Sequence, residues 1–230
     1  MTTTLITGAN KGLGYETARR LITEAGHDVW LAARDAERGQ AAAGSLGARF
    51  VQLDVTDDAS VAAAAQAVEA TSGRLDVLIN NAGISLGRIP ASEVTGDHLR
   101  RVYETNVFGP VRVTHAFLPL LRAAGTPSVI NVSSGLGSFT TVTETEWGRY
   151  GSVAYSSSKA ALTMITVQYA RALPAVRFNA VDPGFTATDL NGRSGTQTPR
   201  EGTDAIVRLA TMGAETPTGT FTDRNGTVPW

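Results

Sequence analysis

The sequence predicts a doubly wound, three-layer α/β/α fold around a seven-stranded parallel sheet, and three observations predict it. Short runs of β-branched and aliphatic residues alternate with longer segments of helical periodicity along the chain. The runs are apolar almost throughout instead of alternating with polar residues, as strands covered on both faces must be. The first run ends in a glycine-rich turn that opens a helix.

Residues 3–7 form the first strand, and Leu13, Ala18, Leu21 and Ile22 then recur at helical spacing. A strand at 29–33, a helix at 36–46, a strand at 49–53, a helix at 61–70 and a strand at 77–80 complete a βαβαβ half. The second half reads as a long helical region from about 96 to 121, a strand at 129–132, a helix at 154–173 and a strand at 176–181. A helix around 201–211 and a last short strand near 219–222 follow. Segments 135–152 and 186–199 are rich in Gly, Thr and Ser without a clear period and are expected as loops. Both follow carboxyl ends of strands, where open α/β sheets bind ligands. No repeat, low-complexity linker or composition break divides residues 1–230, so one domain is expected.

Composition narrows the partners. With 20 basic against 21 acidic residues, the chain offers no extended field for nucleic acid or an anionic membrane, and a small molecule fits better. There are no cysteines, which excludes disulfides, thiolate metal sites and a cysteine nucleophile. His27, His98 and His115 lie far apart without ligand-like spacing, so no metal is expected. The first apolar run is only a strand long and no stretch is long enough to span a bilayer; a soluble, cytoplasmic protein is expected.

The turn after the first strand runs from Thr7 through Gly8, Asn10, Lys11, Gly12 and Leu13 to Gly14, a T-G-x-x-x-G-x-G pattern. Glycines there let backbone N–H groups approach a pyrophosphate, and the helix N-terminus adds its positive dipole end. In NAD sites an acidic residue at the end of the second strand accepts the ribose 2′-hydroxyl. Here that place holds Ala33 followed by Arg34, and Lys11 lies inside the turn. Two cations where a 2′-phosphate would sit favour NADP(H), with Asp35 weakening the field slightly.

Further motifs follow in order: Asn80-Asn81-Ala82-Gly83, Ser133-Ser134, Tyr155 with Lys159, and Asp182-Pro183-Gly184. With the glycine-rich turn, this order and spacing resemble the short-chain dehydrogenase/reductase family, whose fold is of the Rossmann type, over nearly the whole chain. The segment from Ala32 to Asp35, the Gly39-Gln40-Ala41-Ala42 run, the Asn10-Lys11 turn and Trp230 look like the NADPH-dependent carbonyl reductases within it. The resemblance implies that Asp54 reaches the adenine amino group and Val55 the ring edge. It also implies that Asn80, Ala82 and Gly83 line the adenosine side of the crevice, and that Pro183, Gly184, Thr186 and Thr188 hold the nicotinamide end. A turn carboxylate is the other reading of Asp54.

Tyr155 and Lys159 are four apart and share a helix face. A nearby ammonium favours the phenolate, so the pair is expected to exchange a proton closer to neutral pH than a free phenol does. Ser134 can donate to a substrate oxygen as charge develops there. The resemblance selects Ser134 over Ser133, gives Lys159 the nicotinamide ribose hydroxyls, and makes Asn106 the holder of a proton-relaying water; a helix-kink role for Asn106 overlaps with this.

The expected activity is NADPH-dependent reduction of a ketone, aldehyde or quinone to an alcohol, with Tyr155 as general acid. Oxidation of a secondary alcohol in a biosynthetic pathway and a non-catalytic NADPH-sensing protein are the alternatives. Ser134 and Tyr155 stand 21 apart, which the resemblance reads as an insertion at 139–152 beside the substrate opening. Trp147 and Tyr150 in it serve either as an aromatic wall for an apolar ketone or as an anchor for the loop. Insertions here interfere with helix packing in family oligomers, so homo-oligomer and monomer both stay open. Val228-Pro229-Trp230 is read as packing at a subunit contact, covering the site edge, or neither.

Overall fold

The computed structural model describes residues 1–150 and 152–230, Tyr150 by its backbone alone. Seven parallel strands stand in the order β3-β2-β1-β4-β5-β6-β7. They are β1 (Thr3–Thr7), β2 (Asp28–Ala33), β3 (Arg49–Gln52), β4 (Val77–Asn80), β5 (Ser128–Val132), β6 (Arg177–Val181) and β7 (Thr220–Thr222). Leu5 pairs with Trp30 on one side and Leu78 on the other, and Ile79 pairs with Ile130. Because successive side chains point to opposite faces, Leu5, Leu78, Val129 and Phe178 enter one apolar core while Ile6, Ile79, Ile130 and Val181 enter the other. This two-sided burial is why the strands read as continuous apolar runs.

On the first half, α1 (Gly12–Ala25), α2 (Ala36–Leu46) and α3 (Asp58–Ser72) follow their strands. Asp35 and Asp57 cap α2 and α3 by accepting backbone N–H groups, each cap being worth about 1 kcal/mol. The chain order reverses between β1 and β4, which opens a crevice at the strand carboxyl ends.

The long helix expected at 96–121 is interrupted. It forms α4 (Gly96–Tyr103), a π-helical turn (Glu104–Phe108) and α5 (Gly109–Arg122). Pro110 has no N–H, so the Asn106 carbonyl four residues earlier loses its ordinary helical donor. Gly109 lies against Val55, where a Cβ would come within 2.9 Å.

Segment 135–152 is more ordered than the loop expected there. A 3₁₀ turn (Gly135–Gly137), the short helix α6 (Phe139–Glu144) and a second 3₁₀ turn (Glu146–Tyr150) occupy it, with Gly151 outside the described residues. Local hydrogen bonds hold α6 without apolar periodicity. Ser138 caps it through Thr141 N–H, Thr143 and Thr145 bond back to the carbonyls four residues earlier, and Trp230 O accepts both Thr140 N–H and its hydroxyl. Val228 is buried with Ala180 and Phe221, and the Trp230 ring lies 6.0 Å from that of Phe221. The end of the chain thus packs on β7 and braces α6.

The remaining helices are α7 (Val153–Ala172), α8 (Pro199–Gly202) and α9 (Asp204–Thr211). Segment 186–199 is mostly irregular, as expected, with a single bridge between Thr186 and Gln197 and one 3₁₀ turn (Asp189–Asn191). Among the described residues no helix is long and apolar enough to cross a membrane.

Candidate active site

The crevice at the strand ends encloses about 440 Å³. Its floor is the glycine-rich turn. Gly8 has φ +63°, and a Cβ there would meet the Ala82 backbone at 2.9 Å; a Cβ on Gly14 would meet Asn81 Nδ2 at 2.5 Å. These two glycines let the turn lie directly on the irregular segment that follows β4. Lys11 is the N-cap of α1 but its side chain makes no cap bond, and the first turn holds no acidic residue. The positive end of α1 therefore faces the crevice, the arrangement that receives an anion.

Thr7 and Asn81 stitch the two central strand ends together. Thr7 Oγ1 accepts the N–H groups of Asn81 and Ala82, and Asn81 Nδ2 donates to the carbonyls of Thr7 and Gly8. Asn80 points the other way, as strand alternation requires. Its amide is buried and donates to Thr114 and Asn131, and the residue is not part of the crevice lining.

At the adenosine side, Arg34, Asp54 and Val55 line the crevice, with Leu53 and Thr56. Arg34 is exposed and its guanidinium has no hydrogen-bond or ion-pair partner among the described residues. Asp35 caps α2 and lies 3.5 Å from Arg38. Asp54 Oδ1 accepts both the N–H and the hydroxyl of Thr56, so one carboxylate oxygen serves the turn. Lys11, expected as the second free cation, instead pairs with Asp189 at 2.9 Å.

The other wall comes from α7. Ser152 caps this helix through Tyr155 N–H, and one turn on lies Lys159. Lys159 is buried, donates to Val132 O at 2.7 Å, and holds its Nζ 5.7 Å from the Tyr155 ring centroid. The Ser134 hydroxyl accepts Leu136 N–H at 3.2 Å and lies close enough to the Tyr155 phenol to favour its ionisation. Ser133 Oγ faces inward instead, bonding Lys159 O and Thr163 Oγ1, and so anchors α7. The chain has only two lysines, Lys11 and Lys159, and both line the crevice.

The electrostatics differ from the expected pairing. Burial pushes the Tyr155 phenol up to about 12; the Ser134 hydroxyl opposes this, and the Asp182 charge adds to it. Burial pulls the Lys159 ammonium down to about 8, with Asp182 opposing. Desolvation thus outweighs any stabilisation of phenolate by the nearby ammonium. Tyr155 is protonated at neutral pH.

Asn106 is fully buried, and its amide is committed. Oδ1 accepts Ile84 N–H at 2.8 Å, and Nδ2 donates to Ile84 O and Ser158 Oγ, both at 3.0 Å. It clamps the segment after β4 onto α7, beside Gly83, where a Cβ would lie 3.5 Å from Asn106 Oδ1 and 3.6 Å from Lys159 Nζ.

Gly8, Asn10, Lys11, Gly12, Leu13, Arg34, Asp54, Val55, Ala82, Gly83, Tyr155, Lys159, Pro183 and Thr188 all meet in the crevice. Thr188 faces Gly12 across it, 3.7 Å from where a Cβ would stand. Gly14, Asn80, Asn106, Ser134, Gly184 and Thr186 are not in its lining. Thr186 is buried and donates to Pro183 O, and Gly184 (φ +69°) packs against Gln197, so both shape the wall from behind. Asn81, Ser85, Thr105, Asp189 and Leu190 line the crevice without having been singled out from sequence. Strand parity next to Asn80 was a signal for Asn81; Asp189 and Leu190 sit in an aperiodic loop that offered none.

Trp147 meets Phe185 edge to face at 6.0 Å, joining the insertion to the turn after β6; Tyr150's side chain lies outside what is described. A separate cavity of about 390 Å³ lies between the segment after β4 and the start of α7, lined by Arg88, Ile89, Pro90, Ala91, Ser152 and Val153.

A family model described as short chain dehydrogenase matches residues 2–199. Carbonyl reductase [NADPH] 1 of Mus musculus is 33% identical, covering 98% of this chain and 97% of that protein. A (+)-neomenthol dehydrogenase of Arabidopsis thaliana is 34% identical, covering 96% and 95%. Both matches extend over more positions, 274 and 284, than the 230 residues here, so these relatives carry residues without a counterpart in this chain. NADPH-bound carbonyl reductase from chicken fatty liver superposes with a TM-score of 0.90 at 29% identity, covering 100% of this chain and 99% of that one. With a glycine-rich turn at the switch point of the sheet and Ser134, Tyr155 and Lys159 gathered beside it, the chain belongs to the short-chain dehydrogenase family, oxidoreductases acting on alcohol or carbonyl groups with a nicotinamide cofactor.

Proposed function

We propose that this protein is an NADP(H)-dependent carbonyl reductase that converts a ketone, aldehyde or quinone to an alcohol. The observation that carries this reading is the meeting of Tyr155 and Lys159, with Ser134 beside the phenol, at one end of a crevice whose other end presents the uncapped N-terminus of α1 and Arg34, unpaired among the described residues. The glycine cradle fits a pyrophosphate, because the open N–H groups of the turn and the absence of acidic residues in the first turn of α1 leave its positive end free for an anion. When bound, the reduced nicotinamide supplies a hydride to the carbonyl carbon.

Tyr155 donates its proton to the carbonyl oxygen as that carbon gains the hydride, so the C=O bond becomes CH–OH. Ser134 donates a hydrogen bond to the same oxygen as charge grows there. Lys159 holds the nicotinamide ribose hydroxyls and keeps a positive charge behind the phenol. The Asn106 side chain is engaged elsewhere, so a relay water would rest on its main-chain carbonyl, whose ordinary i+4 donor is removed by Pro110. Gly8, Asn10, Gly12 and Leu13 cradle the pyrophosphate with Gly14 packed behind them, Arg34 takes the 2′-phosphate, and Asp54, Val55, Ala82 and Gly83 line the adenosine. Pro183, Gly184, Thr186 and Thr188 shape the nicotinamide end. A phenol raised to about 12 carries its proton at neutral pH, the form in which it donates to a carbonyl oxygen.

The test is loss of NADPH absorbance with quinones, aromatic aldehydes, cyclic ketones and keto esters. Wild-type turnover with at least one class, and its abolition in Tyr155→Phe with NADPH binding retained, is the expected outcome. Full turnover by Tyr155→Phe, or no turnover across the panel by a wild-type protein that binds NADPH, overturns the reading.

A further inference from the structure

Behind Tyr155 and Lys159 stands a carboxylate to which the mechanism above gives no task. Asp182 is the first residue past β6, and the parallel pairing of Val132 with Val181 sets it beside the Ser133 and Ser134 turn leaving β5. Asp182 Oδ1 accepts Gly184 N–H at 2.9 Å. Gly135 N–H also favours the charged carboxylate, and Oδ2 lies so near that a Cβ on Gly135 would meet it at 2.7 Å. A single side chain therefore ties the turn carrying Ser134 to the turn carrying Pro183 and Gly184.

Two N–H groups need only neutral acceptors, and an asparagine oxygen would serve Gly184 as well. An aspartate adds a charge in a place where burial disfavours it, since its carboxyl is raised chiefly by desolvation. The charge has a counterpart. Lys159 on α7 attracts it, whereas Asp223, just past β7, repels it and is itself occupied by the N–H groups of Asn225 and Gly226. Tyr155 on α7 feels it as an influence against ionisation. Arg208 on α9 reaches the carbonyls of Asp223 and Arg224, not the carboxylate.

We propose that Asp182 is a positioning residue of this site: its carboxylate holds the Ser134 and Pro183 turns together and supplies the negative charge against which the Lys159 ammonium is kept behind Tyr155. The proposal rests on the reading of Tyr155 and Lys159 given above. Its sign is definite. The Asp182 charge raises both the ammonium and the phenol, so removing it lowers both.

The test is Asp182→Asn in the full chain, with Asp182→Ser as a second variant should the amide fail to fold. Because the protein has two lysines, NMR of lysine labelled at Cε gives two signals, and Lys11 serves as internal reference. In the cofactor-free protein Lys159 is expected to titrate at lower pH in the variant than in wild type, by about half to one pH unit. The alkaline limb of kcat/KM for carbonyl reduction is expected to move the same way. A Lys159 titration that stays in place, with a rate lowered equally at every pH, reduces Asp182 to a structural tie and overturns the proposal. The lysine titration reads the charge coupling even if no carbonyl is turned over, so failure of the functional reading is seen separately, in the wild-type panel and the Tyr155→Phe control.

Discussion

Lys11 Nζ and Asp189 Oδ2 meet at 2.9 Å although 178 residues separate them, and the pair joins the two rims of the crevice. Asp189 also lies 3.3 Å from Arg193, and these cations hold its carboxyl below the usual carboxylate range. The contact places a negative charge at a rim otherwise suited to phosphate.

Replacing Asp189 with Ala removes that charge and releases Lys11. Exposed ion pairs contribute little, so NADPH is expected to bind tighter by only about twofold to fivefold, more at low salt than at high. Fluorescence titration of NADPH at two ionic strengths measures this; weaker binding in the variant means that the pair closes over the cofactor instead of competing with it.

Arg34 is the cation at the end of β2 without a partner among the described residues. Arg34→Ala is expected to raise KM for NADPH about tenfold to a hundredfold through the loss of a charge-assisted contact, while the KM for NADH stays within about twofold. Equal changes for the two cofactors, or none for NADPH, would show that the 2′-phosphate sits elsewhere.

Carbonyl reduction needs the Lys159 ammonium and the Tyr155 phenol. As pH rises, the ammonium goes first, near about 8, while the phenol persists to about 12. The kcat/KM profile is therefore expected to be level around neutrality and to fall above about pH 8. A profile level to pH 10 contradicts the assignment of that limb to Lys159.

Asn106→Ala leaves Ile84 N–H and Ile84 O without their partner, while Ser158 Oγ keeps only its bond to Tyr155 O. Unsatisfied buried groups of this kind make the variant less stable by about 2–4 kcal/mol. Thermal or denaturant unfolding reads the loss, and hydrogen exchange is expected to rise first in the segment after β4, where Ile84 is held.

The seven strands, most of the helices, the phosphate turn, Arg34, Tyr155 and Lys159 were legible in the amino-acid sequence because each depends on local pattern. A parallel strand buried on both faces must be apolar throughout, a phosphate turn needs glycine where φ is positive or backbones touch, and Tyr155 and Lys159 share a face by helical period alone. The resemblance to a family added Asp54, Val55, Ala82, Gly83, Pro183 and Thr188 to the lining, and Ser134 over Ser133, a choice that the inward bonds of Ser133 explain.

Tertiary structure decided what no local pattern encodes. Segment 139–144 is tied to the body of the protein by the distant Trp230 carbonyl, which accepts both the N–H and the hydroxyl of Thr140. Whether Lys11 is free depends on Asp189, and whether Tyr155 is acid or base depends on how deeply it and Lys159 are buried around Asp182. The physical reason is common to all three. Period and composition act over a few residues, whereas desolvation and charge pairing are set by whatever the fold brings within a few ångströms.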